Sequence, residues 1–132
     1  MLLDCEKSGT EITSVPKSLL ISKSYPNVYD QNSDCEATVK FEQNENIVLY
    51  FLDFKVQHSS GCTKDYLEIS SITNEIRTVV GKLCGYTMPA PISLNAGTAH
   101  LAFHSDALWG EKGFLIHLDT GKIYYRFFGI VE

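Results

Sequence analysis

The sequence lacks a long apolar run and an excess of basic residues, and each absence excludes a class of function. Its longest uninterrupted apolar stretch runs only from Ile47 to Leu52, whereas a membrane-spanning helix needs roughly 20 such residues. The formal net charge is -5, and nucleic acids and anionic membranes attract proteins with a basic surface. We therefore expect no insertion into a membrane and no nucleic acid among the partners.

The sequence also lacks the local motifs of an enzyme. It contains no nucleophile elbow, phosphate-binding loop or His-Glu-x-x-His. His104, Ser105 and Asp106 have the residue types of a hydrolytic triad, but consecutive strand residues point to opposite faces and cannot assemble one. His100 and His104 would share a strand face about 13 Å apart, too far for one zinc ion. We expect a non-enzymatic protein whose four histidines lie at the surface or rim.

Four cysteines are the first informative feature that is present. Cys5, Cys35, Cys62 and Cys84 are spaced by 30, 27 and 22 residues. Without a Cys-x-x-Cys pair, a zinc knuckle or a thioredoxin-like redox site is excluded. An even number of cysteines at wide spacing indicates structural disulfides in an oxidising compartment. The spacing alone leaves all three pairings open.

The secondary-structure signal is almost entirely that of strands. A chain of 132 residues with 44% hydrophobic content is sufficient for one domain with a proper core. Apolar residues alternate with a period of two at 38–41 and 47–56, and further strand candidates lie at 66–69, 78–80, 100–104 and 114–118. Turn-forming residues separate these runs. The sequence predicts an all-β sandwich of antiparallel sheets.

Strict alternation assigns the long run at 47–56 to two faces. One face would carry Val48, Tyr50, Leu52, Phe54 and Val56. The other begins apolar with Ile47, Leu49 and Phe51 and turns polar at Asp53, Lys55 and Gln57.

Several short motifs follow one another in a fixed order along the chain. They are Ser22-x-x-Tyr25-Pro26 with Tyr29, Phe51-Leu52-Asp53-Phe54, Cys62-Thr63-Lys64-Asp65-Tyr66-Leu67-Glu68-Ile69, Gly81-x-x-Cys84-Gly85 with Pro89, and Phe103-His104-Ser105-Asp106 with Gly113-Phe114. The block that begins at Cys62 is the most specific. In this order the motifs resemble the CUB domains of complement proteases, tolloid-like metalloproteases, neuropilins and spermadhesins, with Ala37 marking a divergent member.

The resemblance implies a fold and a disulfide pairing. The fold is a jelly-roll-like sandwich of about ten strands, with Cys5 paired to Cys35 and Cys62 paired to Cys84. We expect the CUB domain to occupy residues 1–120 and residues 121–132 to form an apolar C-terminal extension.

The resemblance also bears on calcium. Many CUB domains hold a calcium ion with three acidic side chains, whose positions correspond to Gln57, Asp65 and Asp106. Calcium prefers several charged oxygen ligands, and Gln57 offers an oxygen without a charge. We expect a degenerate calcium site that stays empty and no bound cofactor, while binding despite Gln57 is the alternative. Without an ion, the two aspartates would accept hydrogen bonds from loop backbone or from Tyr25.

Two segments are expected to contact a partner. Leu108 and Trp109 lie in a loop, and tryptophan is over-represented among interface anchors; alternatively, Trp109 folds back over the end of the sandwich. Residues 122–131 are too apolar for a solvated tail and form either an extra strand or the lead-in to a neighbouring domain. Tyr125 and Phe127 would expose an apolar face there, so they are predicted to contact a partner, including a second copy of the chain.

These features predict a secreted or extracellular binding module. For a secreted chain, a signal peptide would have been removed, because the first residues show no leader. The expected partner is an extracellular protein or glycoprotein, as in cell adhesion. Two alternatives stay open: a substrate-recruiting domain of a larger extracellular protease, and a spermadhesin-like single domain that binds glycans or glycoproteins.

We expect all four cysteines to be oxidised in the pairing that the resemblance implies. Mass spectrometry of peptides prepared without reduction should recover Cys5 joined to Cys35 and Cys62 joined to Cys84. Free thiols, or a peptide that joins Cys5 to Cys62, would contradict both the fold and the extracellular compartment.

Overall fold

Nine strands make up the described part of the chain. The computed structural model describes residues 10–14, 17–41 and 46–120. Within these residues the strands are β1 (Thr10–Ser14), β2 (Lys17–Ile21), β3 (Asp34–Phe41), β4 (Ile47–Lys55), β5 (Tyr66–Thr73), β6 (Ile76–Leu83), β7 (Ile92–Ser93), β8 (Thr98–His104) and β9 (Gly113–Thr120). A 3-10 turn covers Ser60–Cys62, and no helix in this part of the chain is long and apolar enough to cross a membrane.

The strands form two sheets that pack face to face. The five-stranded sheet has the order β1-β3-β8-β5-β6, and the four-stranded sheet has the order β2-β9-β4-β7. Neighbouring strands are antiparallel, except that β1 runs parallel to β3. Between β1 and β3 the chain crosses over to the four-stranded sheet and forms β2. This crossover allows β1 and β3 to pair in parallel. The predicted all-β sandwich is confirmed, with nine described strands where the resemblance implies about ten.

Alternate side chains from both sheets fill the core. The buried hydrophobic residues of the three most regular strands are Cys35, Ala37, Val39 and Phe41 on β3, Ala99, Leu101 and Phe103 on β8, and Phe114, Ile116 and Leu118 on β9. The period of two directs every second side chain inward. The burial of each large apolar side chain adds roughly 1.5–3 kcal/mol to the stability of the fold. The packed core therefore fixes the strand ends from which the connecting loops begin.

A β-bulge in β4 corrects the expected division of that strand into two faces. The pairing with β9 slips by one residue between Phe51 and Asp53, which leaves Leu52 as an extra residue. An extra residue reverses the alternation beyond it, so Phe54 and Val56 are buried on the same side as Phe51. The prediction that Leu52, Phe54 and Val56 share a face is therefore wrong, because strict alternation has no place for an inserted residue.

Strands β1, β2 and β7 are not predicted from the sequence. Residues 10–14 are mostly polar, and 17–21 begin polar and end in a short apolar run. Strand β7 has two residues, which is too few for any period to be visible. These strands lie at the edges of the two sheets, where pairing to a neighbour replaces burial on both sides.

A disulfide joins Cys62 and Cys84, whose Cα atoms are 5.6 Å apart, as predicted. It joins the 3-10 turn to the end of β6. By restricting the unfolded chain, this disulfide adds about 3 kcal/mol to the free energy of unfolding. Cys35 is also disulfide-bonded. Its predicted partner Cys5 lies outside the described residues, so that pairing stays a prediction. Tyr125, Phe127 and the rest of the C-terminal extension also lie outside them.

The bulge makes Leu52→Ala and Phe54→Ala a matched test of the β4 register. Phe54 is 4% exposed and Leu52 is 52% exposed. Truncating Phe54 leaves a core cavity and should lower the free energy of unfolding by about 3–5 kcal/mol, whereas truncating Leu52 should cost less than about 0.5 kcal/mol. Equilibrium urea unfolding measures both. Similar losses in the two variants would contradict the register.

Candidate functional site

Four loops meet at one end of the sandwich, which we call the loop end. They are residues 22–33, 56–65, 84–91 and 105–112. Backbone hydrogen bonds join them: the Tyr29 N–H donates to the Glu111 carbonyl at 3.0 Å, and Val56 and Gly85 exchange two hydrogen bonds of 3.1 and 2.7 Å. Segments far apart in the sequence therefore form one surface.

Asp65 lies at the centre of the loop end and is fully buried. Its Oδ2 accepts a hydrogen bond of 2.6 Å from the Tyr29 hydroxyl, and its Oδ1 accepts one of 2.8 Å from the Asp106 N–H. The Tyr29 hydroxyl accepts a hydrogen bond of 3.1 Å from the Gln57 N–H. Asp106 Oδ1 accepts one of 2.9 Å from the Leu108 N–H. One buried carboxylate thus connects three of the four loops.

The side-chain amide of Gln57 lies between the carboxylates of Asp65 and Asp106. An ionised carboxylate only accepts hydrogen bonds, so the amide is assigned with its nitrogen facing both groups. In this orientation Nε2 lies 3.0 and 3.3 Å from the Asp65 oxygens and 3.2 and 3.3 Å from those of Asp106. The three residues predicted for the degenerate calcium site are therefore together, as a hydrogen-bonded cluster.

The burial of this cluster shifts the pKa values of two of its members, Asp65 and Tyr29. Burial raises the pKa of Asp65 above its ordinary value, and the nearby Asp106 charge acts in the same direction, while hydrogen bonds from Tyr29 and the Asp106 N–H oppose it. Burial also raises the pKa of Tyr29 far above its ordinary value, and the hydrogen bond to Asp65 adds to the effect. The Tyr29 hydroxyl therefore keeps its proton and remains a donor.

A second carboxylate, Asp53, connects the 22–33 loop to the 105–112 loop. The Tyr25 hydroxyl donates to Asp53 Oδ2, and Lys112 Nζ lies 2.8 Å from Asp53 Oδ1. The hydrogen bond from Lys112 and then that from Tyr25 lower the pKa of Asp53. As expected, loop backbone donates to both aspartates, through the Asp106 N–H and the Leu108 N–H, whereas Tyr25, the alternative donor, bonds to Asp53. Tyr29 donates to Asp65 instead, because its buried ring, 4.8 Å from that of Phe103, directs its hydroxyl into the cluster.

The 105–112 loop and the start of β9 pack so closely against the 22–33 loop that two positions require glycine. A Cβ on Gly110 would lie 2.6 Å from the Tyr29 carbonyl oxygen, and one on Gly113, which has a φ of +86°, would lie 1.9 Å from Ser22 Oγ. Between this fixed backbone and Asp106, the side chains of Leu108 and Trp109 are 52% and 85% exposed. Trp109 does not fold back over the sandwich, which excludes that alternative.

The chain matches a protein family over most of its length, since the profile of the CUB domain covers residues 5–118. The chain belongs to the CUB domain family. Among curated CUB-containing relatives, it is 34% identical over 101 residues to the human Tumor necrosis factor-inducible gene 6 protein, covering 76% of this chain and 36% of that protein. It is 32% identical over 97 residues to human Cubilin, covering 74% of this chain and 3% of that protein.

Solved CUB structures share the sandwich. The MASP-1 CUB2 domain bound to Ca2+ superposes with a TM-score of 0.75 at 28% sequence identity, covering 86% of this chain and 99% of that chain. The CUB1-EGF-CUB2 domains of rat MASP-1 give a TM-score of 0.76 at 28% identity, covering 89% and 41%. This chain spans between 3% and 36% of the curated relatives named above, so the likeness concerns one CUB domain of each.

Calcium is possible for a CUB domain, since the MASP-1 CUB2 domain is bound to Ca2+. The donor set of this CUB domain is a poor fit for the ion. Calcium prefers several charged oxygen ligands, whereas Gln57 places a neutral amide between the two carboxylates, assigned with its nitrogen toward both. Among the residues that the structure describes, no three His, Cys, Asp or Glu side chains form a group that could hold a metal ion.

One histidine of this CUB domain departs from the expected surface position. His100 is buried on the outer face of the five-stranded sheet, where Arg77 Nη1 lies 3.0 Å from both ring nitrogens. Its Nε2 lies 3.3 Å from the Glu36 carboxylate. Burial and then the Arg77 charge lower the pKa of His100. The expectation that all four histidines lie at the surface or rim is wrong for His100, because the long side chains of Glu36 on β3 and Arg77 on β6 reach it.

Sequence reasoning missed the roles of Tyr29 and Asp53 at the loop end of this CUB domain. Tyr29 appeared only as a motif residue, and nothing in the sequence distinguishes a core aromatic from one whose hydroxyl serves a buried carboxylate. Asp53 had a usable signal: it directly follows the longest apolar run of the chain. A charged residue at that point of a core strand indicates a fixed partner.

Tyr29→Phe should destabilise the CUB domain by about 1–3 kcal/mol at neutral pH, because it removes the donor to a buried carboxylate and an acceptor for the Gln57 N–H. The raised pKa of Asp65 means that its favourable contribution is fully present below its unfolded pKa and is lost as pH rises through its folded pKa. A protonated Asp65 needs the Tyr29 donor less, so the loss should shrink as pH falls through that folded pKa.

Thermal melting of both proteins from about pH 7 down to about pH 3, spanning the unfolded pKa of aspartate, checks this expectation. Tyr86→Phe is the control, because Tyr86 is exposed and should melt like the wild type throughout. A Tyr29→Phe loss that does not change with pH would contradict the assigned role of Asp65.

Proposed function

We propose that this CUB domain is an extracellular, non-catalytic protein-binding module whose contact surface is the loop end. The observation that carries the proposal is Trp109, which is 85% exposed on a loop whose backbone is held in place. Large apolar side chains on a fixed loop are unlike a solvated turn and are typical of interface anchors. The extracellular CUB proteins to which the chain is similar support the class of function.

The loop is fixed on both sides of Trp109. On one side, Asp106 donates its N–H to Asp65 and accepts from Leu108. On the other, Gly110 packs against Tyr29 and Lys112 pairs with Asp53. A loop that is ordered before binding loses less conformational entropy on association, which raises affinity. The surface is thus organised before a partner arrives.

Other exposed apolar side chains surround the loop end. Of the ten large hydrophobic residues exposed in the described part of the chain, five lie on its loops: Val28, Tyr86, Met88, Leu108 and Trp109. Lys55 connects two of these loops, because its Nζ lies 5.2 Å from the Tyr86 ring centroid and 3.6 Å from Glu111. An apolar centre with a rim of mixed charges is the composition of a protein-binding surface.

We also propose that the contact needs no calcium. Hydrogen bonds among Tyr29, Gln57, Asp65 and Asp106 already hold the three loops together. Substrate recruitment by a linked protease and recognition of a glycoprotein would be forms of the same contact that differ in the partner.

Leu108→Ala and Trp109→Ala should each weaken partner binding without changing stability. Leu52→Ala is a matched control for Leu108→Ala, because Leu52 and Leu108 are both 52% exposed and Leu52 lies on β4. Truncating a hot-spot tryptophan weakens the binding free energy by at least about 2 kcal/mol, which raises Kd roughly 30-fold.

The measurement is quantitative mass spectrometry of extracellular proteins retained by the immobilised wild type and each variant, followed by the Kd of the strongest binder. We expect retention to fall for both loop variants and to persist for Leu52→Ala. Equal retention by all four proteins would contradict the assignment of the contact surface to the loop end. The absence of any binder would contradict the proposed protein-binding function.

A further inference from the structure

Among the described residues, no ion pair joins a lysine, arginine or histidine side chain to Asp65 or Asp106. The lysine and histidine ion pairs in this part of the chain go to other acids. Asp65 is fully buried, and an unbalanced buried carboxylate is costly. The group that faces both carboxylates is the Gln57 amide, 3.0–3.3 Å from all four oxygens.

We infer that Gln57 is a neutral substitute for a metal ion, which cross-links Asp65 and Asp106 by hydrogen bonds and makes the loop end independent of calcium. The inference goes beyond partner binding, because it concerns how the surface is held together rather than what it contacts. It also makes calcium dependence in this chain a property of one side chain.

The donors available to the cluster account for its stability. An amide nitrogen carries two hydrogens, one for each carboxylate. The Tyr29 hydroxyl and the Asp106 N–H supply two more to Asp65, and the Leu108 N–H supplies one to Asp106. Each carboxylate therefore has at least two donors. Calcium could use Gln57 only through Oε1, and turning that oxygen inward would remove both amide hydrogen bonds.

Glutamate at position 57 would reverse this arrangement. Glu has the length and shape of Gln, but it replaces two donor hydrogens by a negative charge. Three carboxylates would then face one another at the positions where Gln57, Asp65 and Asp106 converge. Without a cation they repel, and with one they form a set of hard, charged oxygen ligands of the kind that calcium prefers.

The test compares the wild type with Gln57→Glu, Gln57→Ala and Gln31→Glu, each stripped of metal and then given millimolar calcium or magnesium. Gln31 is exposed on the 22–33 loop, so Gln31→Glu controls for the added charge alone. The readouts are Tm and the luminescence of terbium, a calcium substitute that nearby aromatic rings sensitise.

We expect no calcium effect on the wild type or Gln31→Glu. Gln57→Glu should melt below the wild type without metal and rise by about 5 °C in calcium, given the affinities of about 10⁻⁴–10⁻³ M of extracellular modules. It should also give a terbium signal that calcium displaces. Gln57→Ala should lose stability without recovering it in calcium, and folding of Gln57→Glu only in calcium would equally support the inference.

Three results would overturn it: calcium stabilisation of the wild type, a Gln57→Glu protein that is folded or unfolded alike with and without calcium, and a Gln57→Ala protein as stable as the wild type. The role of Gln57 is tested by Tm and terbium luminescence, whereas the binding surface is tested by comparing partner retention by the wild type and Trp109→Ala. The two hypotheses can therefore fail independently.

Discussion

The loop end depends on the need of one buried carboxylate for hydrogen-bond donors. Asp65 has no contact with water, and each of its oxygens must therefore be satisfied from within the protein. Its donors come from the 22–33 loop through Tyr29, from the 105–112 loop through Asp106, and from its own loop through Gln57. Because a single acceptor serves three loops, the arrangement of each depends on the other two. The exposed surface takes its shape from a buried interaction.

The sandwich and the loop end are stabilised by different physics. Apolar burial between the sheets is non-directional and tolerates a change such as the extra residue at Leu52, as long as Phe54 and Val56 still reach the core. The loop end depends on directional hydrogen bonds, in which a change from amide to carboxylate reverses donor and acceptor. Variation in the sheets therefore alters stability gradually, whereas a single substitution at the loop end can reverse a donor and an acceptor.

The sequence allowed the fold to be predicted because its evidence is repeated along the chain. Six strands were predicted, two of them from a two-residue period, and Asp65 and Asp106 were located by motifs of several residues. The bulge was not predictable, since a single inserted residue such as Leu52 leaves the composition of a strand unchanged. Nor was the choice between Tyr25 and Tyr29 as the donor to Asp65, because it depends on which ring reaches the core. The orientation of the Gln57 amide follows from its neighbours in space, which no pattern along the chain records.

Strand β6 lies at the edge of the five-stranded sheet and exposes Val79 and Val80, so its backbone resembles a template on which further copies could stack. An antiparallel pairing of two copies centred between these valines would set Arg77 of one against Lys82 of the other. Like charges directly opposite each other destabilise a strand pair, and cationic side chains are a common protection of open sheet edges. The charges on this edge therefore oppose its pairing with a second copy in that register, so the open edge of the larger sheet is protected by residues of its own strand.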